Sequence, residues 1–284
     1  MTDTPILYLI FNRLNETKQS FESIRNAKPK QLFIAADGPR KGKPGEDKVC
    51  KEVRDYVLSN IDWDCQVQTL FRDYNLGCGL AVSGAITWFF EHVEMGIIVE
   101  DDIVPNESFY HFHETLLNLY KDNEKIFHIG SVNWVPDTID QSYPYTYLFS
   151  VYPGIWGWST WSNRWKAYKY QVSDYNKIRF NLGLLGVSHS YKEYVSHLRT
   201  IKRLKNKKVD TWDYQWRICI STNKGISINP TVCLITNIGF NERATHTVGK
   251  SIMPEMKEMD RIIHPPKVKV HKWYTRLVSK KKFG

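Results

Sequence analysis

The stretch Ile97-Ile98-Val99-Glu100-Asp101-Asp102-Ile103-Val104-Pro105 runs an apolar segment straight into three consecutive carboxylates. An unbroken β-branched run of this kind predicts a fully buried, central, parallel strand. Three acids at its carboxyl end repel one another unless a cation sits among them. In an open α/β sheet, ligands bind at the carboxyl ends of the strands. Ligation by oxygen alone suits a hard divalent ion such as Mg2+ or Mn2+. The triplet therefore either holds a metal-bound phosphate compound or is a solvated acidic turn, and the motif alone leaves both open.

Four other places carry groups suited to such a site. Asp37 ends a predicted strand and is followed by Gly38. Its carboxylate could accept from a base N–H while the glycine lets a ligand approach the backbone, or the pair is an Asp-Gly turn. Arg13 ends the first predicted strand and could face the same crevice. In Asn75-Leu76-Gly77-Cys78-Gly79, glycines precede a predicted helix N-terminus, as in a phosphate cradle. Arg72 stands upstream, able to pair with a phosphate, but neither GxGxxG nor a P-loop lysine is present. In Thr211-Trp212-Asp213-Tyr214-Gln215-Trp216, an isolated acid stands between tryptophans. Asp213 is either a base toward a hydroxyl or an acid placed by a helix dipole, with Asp210 as cap. In Asn237 to Thr247, a polar, glycine-containing loop follows a predicted strand. There His246 could bind metal or phosphate and Arg243 could neutralise a leaving diphosphate, or the loop is plain surface.

The elements that must position these residues alternate. Strands are predicted at Pro5–Phe11, Gln31–Ala36 and Asp64–Phe71, with the opening stretch as the fourth. Between them lie helices: one capped by Asn15 with Thr17, Phe21 and Ile24 on a face, one over Glu46–Asn60, and one carrying Leu80, Ala81, Ala85, Trp88 and Phe89. Such alternation predicts an α/β fold with a mostly parallel sheet flanked by helices. Beyond Asp102 the pattern changes: a helix over Asn106–Tyr120, strands at Ile126–Ile129 and Tyr143–Tyr152, a helix through Trp161 and Trp165, and another near Leu182–Ile201. A basic loop at Lys202–Lys208 and a helix starting near Trp212 follow. This half reads as acceptor-side structure added to the same sheet.

The 284 residues suffice for one large domain, and at 42% hydrophobic they can bury a sizeable core. The 10 tryptophans are core fillers by default, although flat rings also serve sugar-binding surfaces. The five cysteines are odd in number and contain no CxxC, so neither a zinc site nor a disulfide framework is indicated. Reduced thiols and the lack of a signal-peptide pattern point to the cytoplasm. No apolar run is long enough to span a bilayer. A net charge of +9 favours polyanionic partners, but much of the excess lies between Lys267 and Lys282 and no nucleic-acid motif is present. That last stretch, mixed with Trp273, Tyr274 and Leu277, is either a disordered solubilising tail or a contact to anionic lipid on the inner face of the plasma membrane.

Taken in order, Pro5 to Arg13, Asp37-Gly38, Val99-Glu100-Asp101-Asp102, Pro153-Gly154-Ile155-Trp156-Gly157-Trp158 and Trp212-Asp213-Tyr214-Gln215-Trp216 resemble a GT-A-fold glycosyltransferase that uses a nucleotide sugar. The likeness is to the inverting mannoside N-acetylglucosaminyltransferases and their bacterial relatives. It covers residues 5 to 247. It implies a GT-A-like catalytic domain over residues 1–266, with a nucleotide-sugar half to about 130, an acceptor half after it, and a tail at 267–284. It implies that Asp37, with Arg13 nearby, meets the uracil of a UDP-sugar. Glu100 would contact the donor sugar, Asp101 the ribose or sugar, and Asp102 the Mn2+ or Mg2+ bridging the diphosphate. Asp213 would be the base. Where the family has a second Asp in its tryptophan segment this chain has Tyr214, so Asp210 stands in reserve. The resemblance also implies an acceptor that is a glycan or lipid-linked sugar, as in bacterial surface polysaccharide or glycolipid synthesis. A sugar-nucleotidyltransferase is the competing enzyme, disfavoured because no glycine-rich, lysine-containing loop follows the first strand. A catalytically inactive glycan- or polyanion-binding protein is the non-enzymatic alternative.

Overall fold

The computed structural model describes residues 1–136, 143–175, 183–239 and 253–284. The first half of the chain forms β1 (Ile6–Ile10), α1 (Leu14–Ala27), β2 (Gln31–Ala36), α2 (Glu46–Ser59), β3 (Gln66–Phe71), α3 (Gly77–His92) and β4 (Met95–Glu100). Then come β5 (Ile103–Pro105), α4 (Glu107–Tyr120), β6 (Ile126–Ile129), β7 (Tyr147–Ser150), β8 (Trp158–Trp161) and the single turn α5 (Ser162–Trp165). The chain ends with α6 (Tyr191–Lys205), α7 (Asp213–Thr222), β9 (Ile226–Pro230), β10 (Ile235–Asn237) and α8 (Lys272–Phe283).

Eight strands form one sheet in the order β3-β2-β1-β4-β8-β6-β9-β7, and β10 pairs with β5 beside it. The pairings of β1 through β4 are parallel, as is β6 with β9, while β8 and β7 run against their neighbours. This is the Rossmann-type, mostly parallel sheet flanked by helices that the alternation predicts. Its central strands are apolar on both faces because helices cover both. On β1, β2 and β4, Ile6, Tyr8, Ile34, Ile97 and Val99 pack with Phe21 of α1, Val53 of α2 and Phe112 of α4. The alternate residues Leu7, Leu9, Phe33 and Ile98 pack with Ala85, Ile86 and Phe89 of α3 and with Trp212 and Trp216 near α7. β3 is the edge strand, and Gln66, Gln68 and Thr69 keep its exposed side polar.

The structure departs from the sequence reading at several elements. Asn15 lies inside α1 and does not cap it; Arg13 holds the cap position. Of the helix predicted through Trp161 and Trp165 only the turn Ser162–Trp165 forms, and Trp158-Ser159-Thr160-Trp161 is a strand. These four residues are buried between β4 and β6, where a strand pairs on both sides and a helix would leave β4 unpaired. The region near 182–201 holds two helical stretches: residues 183–187 are helical, and after a break at 188–190 α6 begins at Tyr191, with the Ser190 side chain accepting from the Glu193 amide as its cap. Lys202, Arg203 and Lys205 are its last turn rather than a loop, where cations favour the helix dipole. The residues from Lys272 onward form α8, whose Tyr274, Thr275, Val278 and Ser279 are buried. They pack with Leu148 of β7 and Tyr152. No helix among the described residues is long and apolar enough to cross a membrane.

Candidate active site

Topology gathers the chemistry at one edge of the sheet. The chain leaves β1 for β2 on one side, and β4 lies on the other. The carboxyl ends of β1 and β4 therefore flank the point where strand order reverses, which in such sheets opens a crevice for ligand. Arg13 follows β1, Asp37 follows β2, Arg72 follows β3, and Glu100 to Asp102 end β4. α3 and α7 each run into a strand of that direction, so their N-termini open at the same edge.

The period of two along β4 divides the acidic triplet. Ile97 and Val99 belong to the α1 side of the sheet and Ile98 to the α3 and α7 side. Continuing the alternation sends Glu100 toward α3 and α7 and Asp101 toward α1. Asp101 is accordingly buried at 7% exposure, its Oδ2 accepting from the Phe11 amide at 3.2 Å and its carbonyl from Ser20 Oγ at 2.9 Å. Arg13 Nη1 donates to Asp102 Oδ2 at 2.8 Å and lies 3.8 Å from Asp101 Oδ1. Glu100 is partly accessible, and its carboxylate has no hydrogen-bond or ion-pair partner among the described residues. Burial, reinforced by the charges of Asp102 and Asp101, pushes Glu100 well above the usual carboxylate range. The same two causes, burial and then Asp102, raise Asp101 to about 7. Asp102 is raised by burial despite Arg13. Burial would lower Arg13, but the two aspartates outweigh it and hold its guanidinium firmly charged. Among the described residues one arginine thus faces three carboxylates, and positive charge is short there.

The glycine-containing loop before α3 is filled by the protein's own acids. Asp37 accepts from the amides of Leu76 at 3.0 Å and Gly77 at 3.1 Å, and Asp210 Oδ1 accepts from the Gly79 amide at 2.8 Å. These amides are the free donors of a helix start. A Cβ on Gly77 would stand 2.4 Å from Asp210 Oδ2, and one on Gly79 2.6 Å from its Oδ1, so the glycines make room for a carboxylate. The phosphate-cradle reading of this loop is corrected on that ground: its donors are already taken. Asp210 serves as a helix cap across 131 residues of sequence, for α3 rather than α7. Arg72 is half-buried near Asp37, with no side-chain hydrogen bond among the described residues, and burial lowers it.

Asp213 opens α7, and the Thr211 hydroxyl donates to its Oδ1. Two tryptophans one turn apart hold it in place. Trp212 and Trp216 are 2% and 0% exposed and pack with Trp158, whose ring stacks on Trp212 at 5.5 Å. Removing Trp216 would cost about 3–5 kcal/mol. Asp213 and Tyr214 face away from this cluster and are partly exposed and exposed, respectively. Half of the ten tryptophans (Trp158, Trp161, Trp165, Trp212 and Trp216) are buried core, while Trp134 and Trp156 are partly exposed. Glu100 lies within electrostatic reach of Asp213, and the ends of β4 and α7 that carry them lie at the same sheet edge.

Among the described residues no group of three acidic, histidine or cysteine side chains is arranged to hold a metal. The donor set fits a Mg2+ or Mn2+ in a narrower sense. Such ions are commonly bound by one or two carboxylates together with substrate phosphates, and the crowded acids here lack a counter-charge. Asp102 would hold the ion. A Cβ on Gly239 would stand 2.2 Å from Asp102 Oδ2, so only glycine lets the chain pass this carboxylate. The Ile238 amide donates to the Asp102 carbonyl at 2.8 Å. Arg243 and His246 lie outside the described residues. The structure thus brings Arg13, Glu100, Asp101, Asp102 and Asp213 to one place, with Asp37 and Arg72 further along the same edge. Sequence reasoning placed Gly239 in a ligand-covering loop without seeing its contact with Asp102, and it missed Trp134 and Lys282, which reach this edge only through the loop after β6 and through α8.

No protein-family model matches the chain, and no curated protein matches it. Solved structures do align with it. The mannosyltransferase PcManGT from Pyrobaculum calidifontis, in complex with GDP-Man and Mn2+, is 9% identical over 79% of this chain and 71% of its own, with a TM-score of 0.42. HddC from Yersinia pseudotuberculosis is 11% identical over 58% of this chain and 80% of its own, with a TM-score of 0.35. The same protein complexed with GMP-PN gives 12% identity, 61% and 80% coverage, and a TM-score of 0.34. At these values the likeness assigns neither an activity nor a residue's role to this chain.

Proposed function

We propose that the protein is an inverting, metal-dependent glycosyltransferase that moves a sugar from a nucleoside-diphosphate sugar, a UDP-sugar on the sequence resemblance, to a glycan or lipid-linked hydroxyl. The observation that carries this reading is the under-neutralised acid cluster at the β1–β4 crossover, with Asp213 across from it. The Mg2+ or Mn2+ that accompanies a donor diphosphate would supply the missing positive charge there and would stabilise charge on the departing diphosphate. Arg13 fixes the Asp102 carboxylate. Glu100, unpaired and on the α7 side, faces the place for the donor sugar. Asp213, oriented by Thr211, takes the proton of the attacking acceptor hydroxyl. Attack from that side, opposite the diphosphate, inverts the anomeric centre. Asp37 and Arg72, beyond α1 along the edge, bound the nucleoside end, and Arg243 and His246 belong to the segment that follows Gly239.

Calorimetry with UDP, GDP and other nucleoside diphosphates, with and without Mn2+, tests the reading. Metal-dependent binding that Asp102→Ala removes is expected. Absent or metal-independent binding defeats it. A place at the inner face of the plasma membrane, in surface polysaccharide or glycolipid synthesis, follows if the basic outer face of α8 meets anionic lipid.

A further inference from the structure

The end of α8 is tied to the helix that carries Asp213. Ser279 Oγ donates to Glu193 Oε2 at 2.7 Å, and Arg217 Nη2 donates to Glu193 Oε1 at 3.1 Å. Arg217 lies one turn beyond Asp213 on α7 and its guanidinium stands over the Phe283 ring, 5.7 Å from the centroid. Lys282, between Ser279 and Phe283, is thereby held on the Asp213 side of the sheet edge. Its amine stands 3.9 Å from the centroid of the Trp134 ring, while Lys281 Nζ donates to the Trp134 carbonyl at 2.8 Å. Trp134 follows β6, which runs parallel to the donor-side strands, and its ring is tilted against Trp156 at 5.2 Å. Two partly exposed tryptophans and two lysines therefore meet at the edge where Asp213 opens.

The charges there do not balance. Arg217 is matched by Glu193. Among the described residues Lys282 has no carboxylate within ion-pair distance, and Arg217 and Lys281 are its cationic neighbours. As a residue Lys282 is open to solvent, while its amine sits against the Trp134 ring and other protein atoms. Burial, then Arg217, lowers it to about 7, with Asp213 and Glu193 acting in the opposite sense from a distance. An anionic group bound here would complete the pairing that Lys282 lacks, and a sugar ring carrying it could lie against the Trp134–Trp156 pair.

We infer that the acceptor subsite takes an anionic sugar, phosphorylated or carboxylated, whose negative group pairs with Lys282 and whose ring packs on Trp134, so that a hydroxyl reaches Asp213. This rests on reading the Asp213 side as the acceptor side. The test follows the Trp134 indole N–H resonance, assigned with Trp134→Phe, during titration with a hexose 6-phosphate, a hexuronate and the neutral methyl hexoside. One or both anionic sugars shift that resonance at concentrations about tenfold or more below the neutral one. Lys282→Gln abolishes the preference, and Lys282→Arg keeps it. Response to the phosphate alone or to the uronate alone identifies which anion is read. Equal response to all three sugars, no response at Trp134, or a preference that survives Lys282→Gln overturns the inference. Calorimetry with UDP and Mn2+ on the same samples separates the two ideas. Lost donor binding in the wild-type protein defeats the glycosyltransferase reading, whereas the charge preference at Lys282 is decided by the sugar titration alone.

Discussion

Two buried carboxylate centres in this molecule are built in opposite ways. Glu193, at 0% exposure, is surrounded by donors: Tyr152 Oη at 2.8 Å, the His189 amide at 2.8 Å, Ser279 Oγ at 2.7 Å and Arg217 at 3.1 Å, with the His197 ring 3.3 Å away. Burial alone would raise it, but these hydrogen bonds outweigh burial and hold it at about 2. Among the described residues the Glu100–Asp102 centre has three acids, one arginine and few donors, and burial with mutual repulsion drives it the other way. A satisfied acid of the first kind joins elements together: Glu193 links α6, α7, α8 and the residue after β7. An unsatisfied one stores repulsion that a cation or ligand can relieve, which is where function is expected.

Substitutions break the comparison at different strengths. The largest effect is expected from Asp213→Asn at the functional edge, with transfer falling about 100- to 10,000-fold while thermal stability and metal-dependent UDP binding persist. Transfer at an undiminished rate would place the base elsewhere. Next comes Glu193→Ala, which leaves Arg217 uncompensated and unties α8. Urea unfolding should show a loss of about 3–5 kcal/mol, and a loss below 1 kcal/mol would make this centre no more than a surface pair.

The pH dependence follows from the sign of the Glu193 shift. Its folded value of about 2 lies below the ordinary carboxylate value, so its contribution is complete above about pH 4.5 and is lost as pH falls toward 2. The amount is about 3 kcal/mol. Unfolding curves for Glu193→Gln should lack that acid-dependent step, and an unchanged step would assign it to another group. The smallest effect has the opposite sign. Glu100→Gln removes one of three crowded charges and should raise stability by about 1–2 kcal/mol in metal-free protein while weakening donor binding. A destabilised Glu100→Gln protein would show that the triplet is a structural centre after all.

The first half of the chain was legible because its strands and helices each carry their own pattern of apolar residues. β1 pairs with β2 on one side and β4 on the other, and each apolar run or amphipathic face announces its own element. The acidic triplet was visible for the same reason, as charges at the end of a buried strand. Its division was not, because strand periodicity places Glu100 and Asp101 on opposite faces without saying which helices cover each. The loop before α3 misled because Asp37 and Asp210, 39 and 131 residues from their partners, occupy donors that sequence shows only as free. Trp158 to Trp161 gave an equally poor signal. A short aromatic run packs in either conformation, and only the gap between β4 and β6 makes it a strand.

By itself, then, the sequence determined the alternation of strands and helices, the apolar strands that sit at the middle of the sheet, and the acids that end one of them. Those features are set by local periodicity and by the cost of exposing apolar surface. Tertiary structure decided which acid is paired by Arg13, which is turned toward Asp213, and that the basic C-terminal stretch is a helix carrying Lys282 to the Trp134 ring. These depend on side chains meeting across 89 to 148 residues of chain, and no local pattern encodes such a meeting.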